Sequence, residues 1–226
     1  MKNIVTPQSV FWNKKEIVEE FAAYEAPKYW KEFLSTFKNP DSIRVLDLGC
    51  GGGRNSVLAA GMGFHVSASD LHFNMVKATR KVLAPYIPKA ELVKRVVKTG
   101  FEKTPYATGA FDVVIASGVL HNANTVKKFR DGVHEISRIL KNNGSFCMNI
   151  FYLESDDPTM RASKREKGVF YTDIGLPMVL LGRKEIISEL AKAGIVPTNN
   201  VTSYESQVNT GRRYVLRGVF RKEPKW

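Results

Sequence analysis

The sequence predicts an α/β fold built on a mainly parallel sheet. Short apolar runs alternate with amphipathic stretches along the chain, the pattern of strand–helix–strand units. A glycine-rich turn, "GCGGG" at positions 49–53, joins the first apolar run to the helical stretch that follows it. No run approaches ~18 apolar residues, so no membrane span is expected. With 226 residues, 43% hydrophobic and 25% charged, the chain is expected to form one domain over 1–226. A domain of that size buries roughly 70% of its unfolded surface.

Taken in order, residues 15–37 read as a helix, with Ile17, Phe21, Tyr24, Tyr29, Phe33 and Phe37 near helical spacing. "NPDS" (39–42) breaks the pattern, and "IRVLDLG" is a buried strand. A helix from Arg54 to Met62, the strand "GFHVSASD" and the helix "NMVKATRKVL" follow. "AELVKRVV" (90–97) reads as the third strand and "FDVVIASGVL" as the fourth. The next helix carries Val126, Phe129, Val133, Ile136 and Leu140 on one stripe and stops at Asn143-Gly144. "SFCMNIFYL" is a fifth strand, and residues 154–175 show no clear period. "RKEIISELAKAG" is a helix stopped by Gly194, and two strands joined around Asn209–Gly211 end the chain.

Charge and cysteines bound the function. The net charge of +12 favours encounters with any anionic partner. The lysines and arginines are scattered, however, and the densest cluster, "MRASKREKG", contains a glutamate. Nucleic acid is therefore the lesser partner, and the basic residues of "RRYVLRGVFRK" are expected to form a solvated sheet face. Cys50 and Cys147 make neither a disulfide framework nor a metal cluster. Free thiols and an N-terminus without a secretory pattern point to the cytoplasm. Glu154, Asp156 and Asp157 lack a neighbouring histidine or second acidic cluster, so no metal site is expected. An acidic turn there would more simply be solvated.

The glycine loop narrows the ligand. Glycines allow a sharp turn and a close backbone approach, and the following helix N-terminus favours an anionic group. A dinucleotide fingerprint would place its third glycine where Arg54 stands, and a Walker loop would end in Gly-Lys-Ser/Thr. The pattern is G-x-G-x-G, with Asp47 two residues ahead. Asp70, 21 residues after Gly49, ends the second strand, where a carboxylate accepts both ribose hydroxyls of an adenosine with Leu71 beside the adenine.

These features, with "VSASD", "FDVVIASGVLH", "ISRILKNNGSF" and "ELAKAGI", resemble the class I S-adenosylmethionine-dependent methyltransferases. The string "GCGGGRNS" is similar to the tellurite-resistance branch. The resemblance implies a Rossmann-like, seven-stranded, mostly parallel sheet with helices on both faces, and S-adenosylmethionine as cofactor. By it, Asp47 holds the methionine ammonium, Gly49, Cys50, Gly51 and Gly53 line the methionine portion, and Asp70 binds the ribose. Ser117 and Gly118 run beneath the sulfonium. The family's usual Gly-Asp pair is replaced here by Thr99-Gly100, leaving Phe101 and Glu102 to meet the adenine.

In this family residues 1–40 correspond to a helical lid, and 154–182 to an insertion that shapes the acceptor pocket. Trp12 and Tyr24 of the lid, with Tyr152, Arg161 and Asp173, are the acceptor-binding candidates; the N-terminal rings have an equal alternative reading, docking a helix on the sheet. His121 and Tyr171 are the catalytic ones; an imidazole past the fourth strand can take a proton or steer the acceptor. His121 also has a plain structural reading, satisfying loop backbone groups. The implied activity is methyl transfer to N, O or S of a small-molecule metabolite. An RNA or protein methyltransferase and a non-catalytic cofactor-binding protein are the alternatives.

Overall fold

A computed structural model describes residues 6–154, 160–208 and 211–224. Asp156, Asp157, Asn209 and Thr210 lie outside the described residues. The chain divides into two compact units, Met1–Phe101 with Phe111–Ile115, and Glu102–Ala110 with Ala116–Trp226.

The first unit begins with helices α1 (Pro7–Trp12), α2 (Lys15–Ala23) and α3 (Lys28–Leu34). Thr6 caps α1, accepting a hydrogen bond from the Ser9 amide. The single helix expected over 15–37 is thus broken. Pro27 disfavours helical backbone at Ala26 and has no N–H to continue the ladder. The βα units follow: β1 (Arg44–Leu48), α4 (Arg54–Gly61), β2 (His65–Asp70), α5 (Phe73–Leu83), α6 (Lys89–Arg95), β3 (Val96–Lys98) and β4 (Phe111–Ser117). β1 pairs in parallel with β2 on one side (Val45 opposite Val66) and with β4 on the other (Val45 opposite Val113). The strand order therefore reverses at β1, which in open α/β sheets is where ligands bind, beyond the carboxyl ends.

The expected third strand over 90–97 is mostly helix α6. Glu91 reaches Lys94 at 3.1 Å and Arg95 at 3.7 Å, the i+3 and i+4 partners of a helix. Leu92 and Val96, four apart, are buried while Val93 is 59% exposed. Only Val96–Lys98 joins the sheet. Leu92 and Val96 pack in one cluster with Cys50, Ala68, Val76, Leu83 and Ile87.

The second unit contains α7 (Val126–Ile139), β5 (Leu140–Tyr152), β6 (Arg161–Ala162), β7 (Val169–Tyr171), β8 (Pro177–Val179), α8 (Arg183–Lys192), β9 (Ile195–Val208) and β10 (Gly211–Lys222). Helix α7 ends at Ile139, not at Asn143-Gly144. Asn143 has φ of 63° inside β5, and its side chain accepts from Arg221 Nη2 at 2.9 Å. β10 runs antiparallel to both β5 and β9. The seven-strand order is β3-β2-β1-β4-β5-β10-β9, with a separate antiparallel sheet β6-β7-β8. The fold class is the one expected, a mostly parallel sheet flanked by helices.

Two features of this unit depart from expectation. The segment without a period contains two strands of the small sheet, β6 and β7, which at two and three residues are too short to show one. The basic residues of β10 do not form one solvated face: Arg212 and Arg221 are exposed, whereas Arg213 is 1% and Lys222 8% exposed. Lys222 Nζ donates to the Leu140 carbonyl at 2.8 Å. Among the described residues no helix is long and apolar enough to cross a membrane.

Candidate functional site

In the first unit the glycine loop connects β1 to α4. Gly49, Gly51 and Gly53 all have positive φ. The closest approach is at Gly52, where a Cβ would stand 2.3 Å from the backbone nitrogen of Ala22 in α2. Most loop amides expected to face a ligand are instead used within the fold. Gly49 N and Cys50 N both donate to Ser69 O at 2.8 and 2.9 Å, and Gly53 N donates to Cys50 O at 2.9 Å. Gly51 N donates to Asp70 Oδ2 at 3.0 Å, and Thr79 Oγ1 donates to Gly51 O at 2.8 Å. The loop is a rigid shape that a ligand can approach closely, rather than a ring of free donors.

Two carboxylates flank it. Asp47, 1% exposed, accepts from Ser56 Oγ on Oδ2 at 2.6 Å, while its buried Oδ1 has no formed hydrogen bond. Burial raises its pKa. Asp70 accepts from Gly51 N on one oxygen and from His72 N on the other at 2.8 Å. Burial pushes its pKa up to about 6 against those bonds. Leu71 beside it is 48% exposed and Phe101 is 9% exposed. Cys50 turns its side chain into the core, with Sγ 3.3 Å from Thr79 Oγ1, and burial raises its thiol well above the ordinary range. It shapes the loop and offers no nucleophile.

The N-terminal helices fasten beside Asp70. Asn13 O accepts from Asn74 Nδ2 at 2.8 Å, and Asn13 Nδ2 lies 3.4 Å from His72 Nδ1. Trp12 stands edge-on to Phe21 at 5.4 Å and 6.5 Å from the His72 ring. Tyr24 is placed differently. Its hydroxyl donates to Glu20, and the Arg54 guanidinium lies 5.7 Å over its ring. Tyr24 lines a cleft of about 560 Å³ with Gly53, Arg54, Val57 and Tyr86.

In the second unit, Glu102 pairs with Lys128 at 2.9 Å. Ser117 Oγ is buried without a hydrogen-bond partner, and Gly118, at φ 80°, donates to Asn149 O at 2.8 Å. His121 is 3% exposed, in a 3₁₀ turn over Leu120–Asn122. Its ring stacks on Phe151 with centroids 4.2 Å apart, and its Nδ1 accepts from the Phe151 amide at 3.2 Å. Burial, with the Arg213 charge behind it, lowers its pKa to about 3. His121 is thus a neutral imidazole that satisfies a backbone amide, and a general-base role at neutral pH is set aside.

The acceptor candidates separate. Arg161 and Tyr171 face each other across β6 and β7. Asp173 sits exposed in the turn after β7, its carboxylate accepting from the Ile174 amide at 2.9 Å. Tyr152 lies opposite Tyr214, rings 6.0 Å apart. Glu166 of the same segment accepts from the Val126 amide at 2.8 Å and so ties the β6–β7 loop to the start of α7.

Sequence reasoning missed Ser56, Thr79, Asn13 and Arg213. Ser56 carried a signal, as the last residue of the motif. The others are brought in by tertiary contacts that local pattern does not encode.

The methyltransferase-domain family matches residues 46–148, from Leu46 in β1 to Met148 in β5. Malonyl-[acyl-carrier protein] O-methyltransferase of Legionella pneumophila is 36% identical over 104 residues, covering 45% of this chain and 34% of that protein. The chain thus spans about a third of the length of the curated relative it matches. Among solved structures, 1,6-didemethyltoxoflavin-N1-methyltransferase of Burkholderia thailandensis superposes with a TM-score of 0.63 at 20% identity, covering 95% of this chain and 81% of that one. That structure holds S-adenosylhomocysteine and 1,6-didemethyltoxoflavin. A SAM-dependent methyltransferase of Methanosarcina mazei gives 0.68 at 15% identity, over 89% and 100%. With the loop and Asp70 in place, residues 46–148 match a methyltransferase domain, and the sheet has the fold of S-adenosylmethionine-dependent methyltransferases. The matches reach the family and not its tellurite-resistance branch.

Proposed function

We propose that the protein transfers a methyl group from S-adenosylmethionine to N, O or S of a small-molecule metabolite. The observation that carries this reading is the pairing of Asp70 with the glycine loop through Gly51 N. The residues present fit the cofactor. Asp47 Oδ1 is a buried acceptor with no formed hydrogen bond, suited to an ammonium. Asp70, ionised, has lone pairs left for two ribose hydroxyls, and Leu71 offers an apolar surface to a base. When bound, the cofactor supplies a methyl on a sulfonium, activated for in-line displacement.

The chain's own residues orient and enclose. Asp70 and Asp47 hold opposite ends of the ligand, and the helices latched by Asn13 exclude water above it. Alignment of this kind contributes several kcal/mol. The acceptor residues are those of the second unit, with Tyr152, Tyr171 and Arg161 contributing and His121 acting as a hydrogen-bond donor. A small acceptor is supported by the solved neighbour above, whose bound 1,6-didemethyltoxoflavin is a small molecule, and by the curated relative's name, which gives O-methylation of a malonyl group on acyl-carrier protein. Two free thiols support a reducing, cytoplasmic setting.

Methyl incorporation from labelled cofactor into fractions of a cell extract tests the reading. Label in small molecules after RNase and protease treatment is the expected result. Loss of label on RNase treatment would favour an RNA acceptor, which the +12 charge motivates. Cofactor binding without product in any fraction would leave a binding protein.

A further inference from the structure

We infer that Thr79, in the middle of α5, is a positioning residue for the cofactor: its hydroxyl holds the Gly51 carbonyl so that the Gly51 amide stays on the Asp70 carboxylate. This rests on the methyltransferase reading above. The helical pattern asks for a different residue at that position. Met75, Val76 and Leu83 form the buried stripe of α5, and Thr79 stands among them, fully buried. An apolar residue would fill the place with no polar group to satisfy, whereas a buried hydroxyl is costly unless hydrogen-bonded. A threonine within a helix commonly bonds back to a carbonyl of its own preceding turn. Thr79 instead donates out of its helix, from Oγ1 to the Gly51 carbonyl at 2.8 Å.

That one residue meets three members of the glycine loop. Its Oγ1 lies 3.3 Å from Cys50 Sγ. A hydroxyl has a single proton, and a carbonyl can only accept. With that proton on Gly51 O, the Cys50 thiol is the donor to Thr79, and burial keeps the thiol protonated. At Gly53 a Cβ would come within 3.1 Å of Thr79 Oγ1 and 3.2 Å of its Cα, so the loop packs directly on this turn of α5. Gly51 is consequently pinned at both ends. Its carbonyl accepts from Thr79, and its amide donates to Asp70 Oδ2 at 3.0 Å. A glycine at φ 54° has no side chain to hold its orientation, which leaves that task to its neighbours.

The consequence falls on Asp70. An amide donating to a carboxylate favours the ionised form, and the Gly51 bond works in that direction against burial. The ionised form is the one with lone pairs for both ribose hydroxyls. Other titratable side chains near Asp70 act separately. Asp47 of β1 pushes its pKa up, the Cys50 thiol is uncharged, and the His72 ring lies beside Trp12 and Asn13. These side chains are all retained in a Thr79 variant, so a change in the titration of Asp70 there reports the Gly51 bond.

Calorimetry of S-adenosylhomocysteine binding from about pH 5 to about pH 8 tests this on the full chain. Thr79→Val keeps the shape and removes the hydroxyl; Thr79→Ser keeps the hydroxyl. Thr79→Val is expected to bind about fivefold more weakly at neutral pH, the effect of one lost hydrogen bond. Its affinity is expected to level off about half a pH unit or more above the point where wild type does. Thr79→Ser is expected to keep the wild-type levelling point and an affinity within about twofold of wild type. Should Thr79→Val not fold, Thr79→Ala set against Thr79→Ser makes the same comparison, since those two differ by the hydroxyl alone. A lower thermal midpoint with an unmoved levelling point in the variant lacking the hydroxyl would reduce Thr79 to core packing and overturn the proposal. Equal losses with and without the hydroxyl would overturn it too. Failure of wild type to bind S-adenosylhomocysteine, measured first in the same cell, would instead strike the methyltransferase reading.

Discussion

The glycine loop with Asp70 and the Arg213–His121 face are built in opposite ways. The first comes from one βα unit and the end of the next strand, all within residues 47–72. Its contacts are local: Ser56 to Asp47, Gly51 to Asp70, His72 to Asp70. The second is assembled from a 3₁₀ turn, the end of β5, a segment of very short strands and the start of β10. The difference shows which kind of site a single sequence discloses. Backbone geometry written in glycines is visible locally, whereas a site set by strand register depends on residues about 90 apart.

That contrast can be tested by variants on each side. The largest effect is expected for Asp70→Ala. Losing two hydrogen bonds to a charged group, at about 1.5 kcal/mol each, weakens S-adenosylhomocysteine binding about a hundredfold by calorimetry. His121→Gln, on the other face, is expected to shift that affinity less than about twofold. Comparable losses in both would erase the division of labour.

Gly52→Ala comes next. Its new Cβ meets the Ala22 backbone, which cannot rotate away as a side chain would. Overpacking of this kind destabilises by about 1–3 kcal/mol, read as a lower thermal midpoint. Gly175→Ala is the matched control, since a Cβ there meets nothing within 4 Å. Its φ of 80° leaves only backbone strain of about 1 kcal/mol. Equal midpoints for the two variants would show that α2 does not rest on the loop.

The smallest effect is expected at the latch. Asn13→Ala removes the side-chain contacts to His72 and to the Asn74 amide. At about 1 kcal/mol, that loss should raise amide exchange in α1 and α2 about fivefold without changing α5. Unchanged exchange would make the helices a fixed wall.

Much of the fold was legible for similar reasons. Buried strands such as Val45–Leu48 and Val113–Ala116 are continuous apolar runs apart from Asp47, and α7 has a clean stripe. Residues 90–97 misled because Leu92, Val93, Val96 and Val97 fit a strand as well as one helical turn followed by a strand. The break at Pro27 was written in the chain but outweighed by aromatic spacing on both sides. Arg213 was illegible: alternation places basic residues on a face, yet only the packing against that face decides whether it meets water. His121 was found by position and then recast by its surroundings, since burial and an amide donor are not sequence properties.

The central claim is that Asp70, as a carboxylate, receives the cofactor's ribose. Its folded pKa of about 6 lies above the 3.8 of an unperturbed aspartate. As pH rises from about 4 to about 6, the unliganded fold therefore loses stability at this group, and ribose hydroxyls that donate to the ionised form offset that loss. Calorimetry of S-adenosylhomocysteine binding from about pH 5 to about pH 8, with wild type and Asp70→Asn side by side, tests this directly. Wild-type affinity should rise toward tenfold per pH unit below about 6 and then level off, while the Asn variant binds weakly and evenly throughout. Tight, pH-independent binding by both proteins would contradict the account.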